Sequence, residues 1–326
     1  MNSQSKPRIV VSKCLGFAAC RYNGLMISSP FVRKLKDHVD FIPVCPEQEI
    51  GLGVPRDPIR IVETKGRRSL FQPATGRDLT GEMNAFAGEF FKDLGPVDGF
   101  LLKTRSPSCG IKDVKVYPGP LKGAAPVTGK SSGFFGGLAL ELYPGRAIED
   151  EGRLENADIR DHFLTRIFAL AGLRDILNSG PVKKLVEFHS AHKLQLMAYS
   201  QKEMRALGKL VARQNELKWT ELAAGYQAHF EQALGRIPRP RSHLNVLMHA
   251  LGYFKDDLTT AEKKYFLEQL ELLGRDKIPL STAATLIGSW VARFQDKYLG
   301  LQTYFEPYPR ELADLPGSSK GRIGGV

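Results

Sequence analysis

Short apolar runs alternate with amphipathic stretches through the first half of the chain. Four runs predict strands: 8–12, 40–45, 99–103 and 114–117. The first three are almost continuously apolar, as is typical of buried strands in a parallel sheet. Three amphipathic stretches predict helices: 30–38, 79–94 and 134–142. This alternation predicts an α/β N-terminal domain with a largely parallel, Rossmann-like sheet.

The second half shows only the helical period. One long helix is predicted at 159–177, and the tetrapeptide Asn-Ser-Gly-Pro at 178–181 then predicts a helix stop and a linker. Six more helices follow: 182–199, 201–214, 220–234, 242–255, 260–274 and 281–298. We therefore expect an α/β domain at 1–178, an all-α C-terminal domain at 181–305 and a partly disordered tail at 306–326.

Composition places the 326-residue chain among globular proteins, with 42% hydrophobic and 25% charged residues. It has neither an apolar run of membrane-spanning length nor a secretory signal pattern at its N-terminus, so we expect a cytoplasmic protein. The net charge is +11, and both sides of Gly180 are basic, with 25 Lys and Arg against 20 Asp and Glu before it and 21 against 15 after it. This balance is typical of proteins with a polyanionic partner, nucleic acid first, and charge that serves solubility alone is the equal alternative.

The candidate chemistry lies with four cysteines: Cys14, Cys20, Cys45 and Cys109. Three of them, Cys14, Cys45 and Cys109, follow predicted strands. Because the carboxyl ends of parallel strands share one edge of a sheet, these three thiols are expected to converge. Thiolates are soft ligands that favour zinc or an iron–sulfur cluster. If Cys20 is a fourth ligand, the site is closed; if it is not, one metal position stays open. The alternative to a metal site is four free cysteines in a packed core.

Three motifs in the first half carry a resemblance to a known family. They are Val11-Ser12-Lys13-Cys14-Leu15-Gly16 followed by Cys20-Arg21-Tyr22-Asn23-Gly24, then Cys45-Pro46-Glu47, then Ser106-Pro107-Ser108-Cys109-Gly110, with a later stretch at 151–154 and Arg160. In order and spacing they resemble the 2-thiouracil desulfurase family over about residues 6–175.

The helical half resembles a family long catalogued without a function, through the stretches at 188–193, 196–198, 245–249 and 252–254. Proteins that join two such domains are similar to tRNA 4-thiouridine desulfidases, which return that base to uridine. The resemblance implies a 4Fe-4S cluster held by Cys14, Cys45 and Cys109, with an open iron and with Glu47 and Ser106 near the substrate. It leaves Cys20 outside the ligand set.

The chemistry expected there is a hydrolytic replacement of C=S by C=O, without net electron transfer. Glu47 is the candidate general base or proton shuttle, and Ser106 would donate to the base or position water. Backbone amides of the segment 106–110 would stabilise developing negative charge. The alternatives are that Glu47 caps the helix after Cys45 and that Ser106 and Ser108 are turn residues.

The helical half offers basic residues for RNA contacts. Arg236, Arg239 and Arg241 lie in a rigid, proline-containing loop, and Lys193 adds to them. Phosphate contacts of this kind fix position without reading sequence. The alternative is that this loop is a solvated linker between helices. A metal site at His189, His192 and His249 is disfavoured, because no carboxylate stands at ligand spacing.

The sequence therefore predicts an iron–sulfur desulfidase of 4-thiouridine in tRNA. A desulfurase of free thiouracil or thionucleosides is the alternative with the same chemistry. A metal-bearing RNA-binding or regulatory protein without turnover is the alternative of another class.

Overall fold

The computed structural model describes residues 5–119, 130–180 and 182–313. The chain divides into two compact units, one up to Ala171 and one from Gly172 onward. No helix in the described part of the chain is both long and apolar enough to cross a membrane.

The strands in chain order are β1 (Arg8–Ser12), β2 (Asp40–Val44), β3 (Arg60–Thr64), β4 (Arg67–Gln72), β5 (Arg77–Asp78), β6 (Gly99–Leu102), β7 (Val114–Tyr117), β8 (Lys130–Ser131) and β9 (Ala147–Asp150). The helices of the first unit are α1 (Pro30–Leu35), α2 (Pro46–Glu49), α3 (Thr80–Asp93), α4 (Phe134–Leu142) and the beginning of α5 (Ala157–Ser179). Those of the second unit are the end of α5, α6 (Val182–Ala191), α7 (Lys193–Tyr199), α8 (Gln201–Ala212), α9 (Trp219–Ala233), α10 (Pro240–Tyr253), α11 (Thr260–Gly274), α12 (Leu280–Phe294) and α13 (Lys297–Gly300).

A parallel sheet of strand order β2-β1-β6-β9 forms the centre of the first unit. Its two inner strands, β1 and β6, are buried and apolar. Ile9, Val10 and Val11 on β1 are completely buried, and every residue of β6 is buried. This confirms the predicted fold class, a parallel-sheet α/β region followed by a helical region.

A second, mixed sheet of order β5-β4-β3-β7-β8 accompanies the first. Of its strands the sequence predicted only β7, which pairs in parallel with β3. The hairpin of β3 and β4 turns at Lys65 and Gly66, both with positive φ. A lysine stands at the turn position that Asn, Asp or Gly usually occupies, so the turn signal in the sequence is weak.

Two predicted helices of the second unit are each divided in two. The helix expected at 182–199 ends as α6 and restarts as α7 after His192, and the helix expected at 281–298 is interrupted by Gln295, whose backbone is left-handed (φ 54°). Such local breaks leave the apolar spacing on either side intact, so periodicity alone does not detect them.

The two units divide within α5, several residues before the predicted linker. The last turns of α5 pack with the second unit, because a Cβ placed on Gly172 would lie 3.3 Å from the Phe188 ring on α6. Of the predicted tail, residues 306–313 include a short 3-10 turn, Arg310–Leu312, and residues 314–326 lie outside the described part.

Candidate active site

Four buried thiols lie at the carboxyl edge of the parallel sheet. Cys14 lies two residues after β1, Cys45 directly follows β2 and caps α2, and Cys109 lies in the loop after β6. Their residues are between 1% and 9% exposed, and all four cysteines are unpaired by disulfides. The predicted convergence follows from topology, since β2, β1 and β6 are parallel neighbours.

The thiols influence one another electrostatically. Burial, together with the nearby Cys45, raises the pKa of Cys14 to about 11. Burial raises the pKa of Cys20 to about 12, again with Cys45 adding to the effect. Burial also raises the pKa of Cys109, and Cys14 and Cys45 act in the same direction.

Cys20 belongs to this group as well, although the family resemblance leaves it outside the ligand set. The Cys45 thiol lies 3.8 Å from the Cys20 carbonyl oxygen, to which it is directed as a donor. Among the described residues, no three His, Cys, Asp or Glu side chains surround a point at which one metal ion would be held.

Ser106 shapes the loop that presents Cys109. Its hydroxyl accepts hydrogen bonds from the backbone N–H groups of Ser108 (3.3 Å) and Cys109 (3.1 Å), and its carbonyl accepts from Gly110 N–H (2.9 Å). These contacts correct one expectation from the sequence. Because Ser106 already holds the amides of 108, 109 and 110, they are not free to stabilise charge on a substrate.

The N-terminus of α4 fixes the other side of this loop. Backbone N–H groups of Gly133, Phe134 and Gly136 donate to the carbonyls of Gly110, Pro107 and Ser108 at 2.7–3.0 Å. The approach is so close that a Cβ on Gly136 would lie 2.3 Å from the Cys109 carbonyl oxygen. Glycine is therefore required here by contact with backbone.

Glu47 on α2 contacts the loop of Cys109 directly. Its Oε1 accepts a hydrogen bond from the Ser108 hydroxyl (2.7 Å), and the Ser108 Oγ lies 3.0 Å from the Ser106 Oγ. The side chain of Glu47 is thus engaged with the loop of Cys109 instead of capping α2, whose cap residue is Cys45. Ser108, treated as a turn residue from the sequence, is the hydroxyl that contacts Glu47 directly.

Arg56 is a site residue that sequence reasoning missed. Its Nε and Nη2 donate to Glu47 Oε2 at 2.9 and 2.6 Å, and its Nη1 donates to the carbonyls of Cys20 and Gly53, both at 3.1 Å. The side chains of Arg56 and Glu47 are only 6% and 13% exposed. No motif marked this arginine, because it reaches the site from the loop before β3.

A second ion pair, between Lys103 and Glu151, lies beside Cys14. The Lys103 ammonium pairs with Glu151 Oε1, and Glu151 Oε2 accepts from Thr104 N–H (2.8 Å). Lys103 opposes, and Glu151 reinforces, the rise in the pKa of Cys14. Glu151 belonged to the sequence resemblance, but its pairing with Lys103 was not anticipated.

Comparison with known proteins bears on what this arrangement does. Residues 9–151 match the model of a family described as 2-thiouracil desulfurase, and residues 193–309 match that of a protein of unknown function, DUF1722. The uncharacterized protein YbbK of Bacillus subtilis is 36% identical over 110 residues, which are 31% of this chain and 72% of YbbK. The chain belongs to the 2-thiouracil desulfurase family.

Two further proteins resemble this family member. The uncharacterized protein YbgA of Escherichia coli is 34% identical over 156 residues, which are 47% of this chain and 91% of YbgA. A solved structure, the [4Fe-4S]-dependent thiouracil desulfidase TudS, is 27% identical and covers 46% of this chain and 94% of its own, with a TM-score of 0.35.

The second unit of this desulfurase-family chain exposes the basic residues predicted for RNA. Arg236 and Arg239 are exposed in the connection from α9 to α10. Arg241, which the sequence placed in this loop, is exposed in the first turn of α10, because the helix already begins at Pro240. Lys193 is exposed at the start of α7, which packs against α10.

The histidines of α6 and α7 serve packing. His192 is buried, stacks on Phe188 (3.9 Å between centroids) and directs Nδ1 at the Phe188 carbonyl, while His189 contacts the Tyr226 hydroxyl.

Proposed function

We propose that this family member is an iron–sulfur-dependent, non-redox desulfidase that converts 4-thiouridine in tRNA to uridine and releases sulfide. The observation that carries the proposal is a carboxylate, Glu47, held by Arg56 and Ser108 beside loops that bring three strand-end thiols together.

The donor set fits a 4Fe-4S cluster ligated by Cys14, Cys45 and Cys109. All three are buried, reduced and mutually close, and thiolates are the ligands that such clusters take. A cluster of four irons takes each thiolate on a different iron, so its ligands need not surround one point. The cationic side chains of Lys103 and Arg21, which oppose the rise in the pKa of Cys14, suit an anionic assembly. When bound, the cluster would supply a thiophilic Lewis acid for the departing sulfur.

The protein residues then handle water and protons. Glu47 Oε1 takes a proton from the attacking water, and Arg56 holds Oε2 so that the carboxylate keeps its orientation. The Ser108 hydroxyl is hydrogen-bonded to Glu47 and to the Ser106 hydroxyl, so the two serines form a path along which a proton can move to or from Glu47. Water adds at the carbon that bears sulfur, C=O replaces C=S, and sulfide leaves with the protons; no electrons are consumed. A general base of this kind contributes about 10²–10⁴-fold to rate.

The charge of the chain supports a polynucleotide substrate. Both halves are positive, and Arg236, Arg239, Arg241 and Lys193 are exposed on the helical unit. A free base offers no phosphates for such residues to bind. Desulfuration of free thiouracil remains the second candidate, and the family's own description favours it.

The test combines metal analysis with two substrates. Anaerobically purified protein is expected to contain about four irons per chain. Cys14→Ala, Cys45→Ala and Cys109→Ala should each lose iron, with Cys20→Ala as the matched control that retains it. Glu47→Gln should retain iron and lose about 10²–10⁴-fold in rate. Stoichiometric zinc without iron would refute the cluster, and full turnover by Glu47→Gln would refute the base.

The substrate is decided by comparing thiolated tRNA with free thiouracil. Turnover of tRNA should fall steeply with salt, and joint neutralisation of Arg236, Arg239 and Arg241 should weaken tRNA binding while free thiouracil is still converted. Equal rates on both substrates, insensitive to salt between about 50 and 200 mM, would establish the free-base alternative.

A further inference from the structure

An exposed loop lies at the edge of the thiol site and is unexplained by the chemistry within it. Residues 21–26, here called the rim loop, expose three large apolar side chains: Tyr22 (44%), Leu25 (57%) and Met26 (48%). Exposed apolar side chains that cluster in one short loop commonly mark a binding surface.

Hydrogen bonds tie the rim loop to the site on both sides. Arg56, which holds Glu47, donates its backbone N–H to the Tyr22 carbonyl (2.7 Å), and the residue after the loop, Ile27, donates to the Cys14 carbonyl (2.8 Å). Within the loop, Gly24 N–H donates to the Arg21 carbonyl and its positive φ closes the turn. The backbone of the rim loop is therefore tied to the segments that carry Arg56 and Cys14.

The sequence around the rim loop is exclusively basic. The first 36 residues contain no Asp or Glu and carry seven cationic side chains: Lys6, Arg8, Lys13, Arg21, Arg33, Lys34 and Lys36. Arg33 and Lys36 are exposed, and neither is paired with a carboxylate in the contacts that the structure gives. Arg33 donates to the Ser28 hydroxyl (2.8 Å), and Lys36 donates to the Gly16 carbonyl (3.2 Å) and lies over the Phe17 ring (4.7 Å to its centroid). Their charges are thus available to an anionic partner.

We propose that the rim loop, together with Arg33 on α1 and Lys36 directly after α1, binds the RNA strand on either side of the reacting base. The proposal rests on the proposed function and assigns part of RNA binding to the α/β unit itself. The reacting thiocarbonyl must enter among cysteines that are at most 9% exposed. Tyr22, which is 44% exposed, lies outside these cysteines and would therefore meet the nucleotides next to the reacting base. Tyr22 stacks on a neighbouring base, and Arg33 and Lys36 contact phosphates, which is the combination that single-stranded nucleic acid binders use.

The test measures binding of unmodified tRNA to the full-length, anaerobically purified chain by fluorescence anisotropy. Tyr22→Ala should weaken binding about 5- to 150-fold, as expected for loss of one base stack, and Tyr22→Phe should restore most of it. Arg33→Gln with Lys36→Gln should weaken binding and lower the salt slope by about 2. The matched controls are Leu142→Ala, which removes an apolar side chain that is 51% exposed elsewhere, and Arg67→Gln with Lys92→Gln, which removes two exposed charges outside this segment.

Each outcome decides the proposal. Unchanged tRNA binding in the rim-loop variants, or an equal loss in the controls, would overturn it. Sedimentation showing that Tyr22→Ala breaks a dimer while tRNA binding persists would also overturn it and assign the loop to self-association. Turnover of free thiouracil by the Arg33/Lys36 variant should match the unaltered chain, and an equal loss on both substrates would assign these residues to folding of the site. Failure of the unaltered chain to desulfurise thiolated tRNA would instead refute the proposed function, whatever the variants bind.

Discussion

At the scale of single residues, Arg56 fixes the orientation of the Glu47 carboxylate. Its guanidinium makes four hydrogen bonds that join Glu47 to the carbonyls of Cys20 and Gly53. Breaking a buried ion pair leaves the remaining charge uncompensated, which costs about 3–5 kcal/mol. The arginine therefore fixes the carboxylate of the proposed base and also connects α2, which carries Glu47, to the segment that carries Cys20.

We expect Arg56→Lys to lower kcat more than it raises KM. A lysine keeps the charge but cannot direct two parallel N–H groups at Glu47 while it also reaches two carbonyls. The measurement is the pH profile of kcat in both proteins, since a misplaced base changes the profile and lost packing alone does not. Arg68→Lys, which alters an exposed ion pair with Glu63, is the control. A profile identical to that of the unaltered enzyme would assign Arg56 to structure only.

The residues of the site were predictable to the extent that sheet topology determines them. Cys14, Cys45 and Cys109 could be grouped because each follows a strand of a parallel sheet, and parallel strands end at one edge. Arg56 and Ser108 could not be assigned. Their roles depend on side-chain directions within irregular loops, and no periodic pattern encodes those directions.

At the scale of elements, α4 and the loop of Cys109 form one unit. Three N–H groups of the first turn of α4 donate to loop carbonyls, and Gly136 permits the contact. A side chain on Gly136 would press on a carbonyl oxygen of the backbone, which has little room to move, since the core behind it includes the fully buried Phe135.

Gly136→Ala should therefore lower both stability and iron content. Overpacking of this kind costs about 1–3 kcal/mol, and the displaced loop carries a proposed ligand. Gly88→Ala is the matched control, because Gly88 lies within α3 and a Cβ there meets nothing within 4 Å. That change should be neutral or should stabilise α3 by about 0.5–1 kcal/mol. Iron analysis and urea unfolding would measure both, and a Gly136→Ala protein with full iron would contradict the expectation.

The elements themselves were predictable where apolar periodicity was strong. The core strands β1, β2 and β6 and the long α5 follow directly from their apolar runs. The second sheet was largely missed because β5 and β8 are only two residues long and β4 begins with two arginines. The pairing of β3 with β4 also depends on a turn that lacks the usual residues.

At the scale of the whole molecule, each unit buries a neutral histidine. Burial lowers the pKa of His162 in the first unit to about 3 and that of His192 in the second to about 4, both from an ordinary value of 6.5. In the unfolded chain these rings take up protons near pH 6.5, whereas in the folded chain they do not. Their contribution to stability is thus complete above pH 6.5 and is lost progressively as the pH falls toward 4.

Urea unfolding followed by tryptophan fluorescence should show this loss in the second unit, because both tryptophans, Trp219 and Trp290, lie there. A shift from 6.5 to about 4 corresponds to a decrease in the free energy of unfolding of the order of 3 kcal/mol between pH 7 and 4. His192→Gln should reduce that dependence, and His249→Gln, at an exposed position, should preserve it. Equal pH dependence in the two variants would show that His192 is not the titrating group.

The cysteines at the edge of the parallel sheet are synthesised at widely separated times, because they lie far apart along the chain. Cys14 and Cys109 are 95 residues apart (109 − 14), and the α4 turn that clamps the Cys109 loop comes later still. At about 5–20 residues per second, a ribosome needs roughly 5 to 20 s to follow the first thiol with the third. During that interval Cys14 and Cys45 have no partner strand β6 and no shelter from oxidants. We therefore expect metal loading to follow translation of the domain. Pulse-labelling of nascent chains with a thiol reagent should find Cys14 reactive until Cys109 and α4 have emerged.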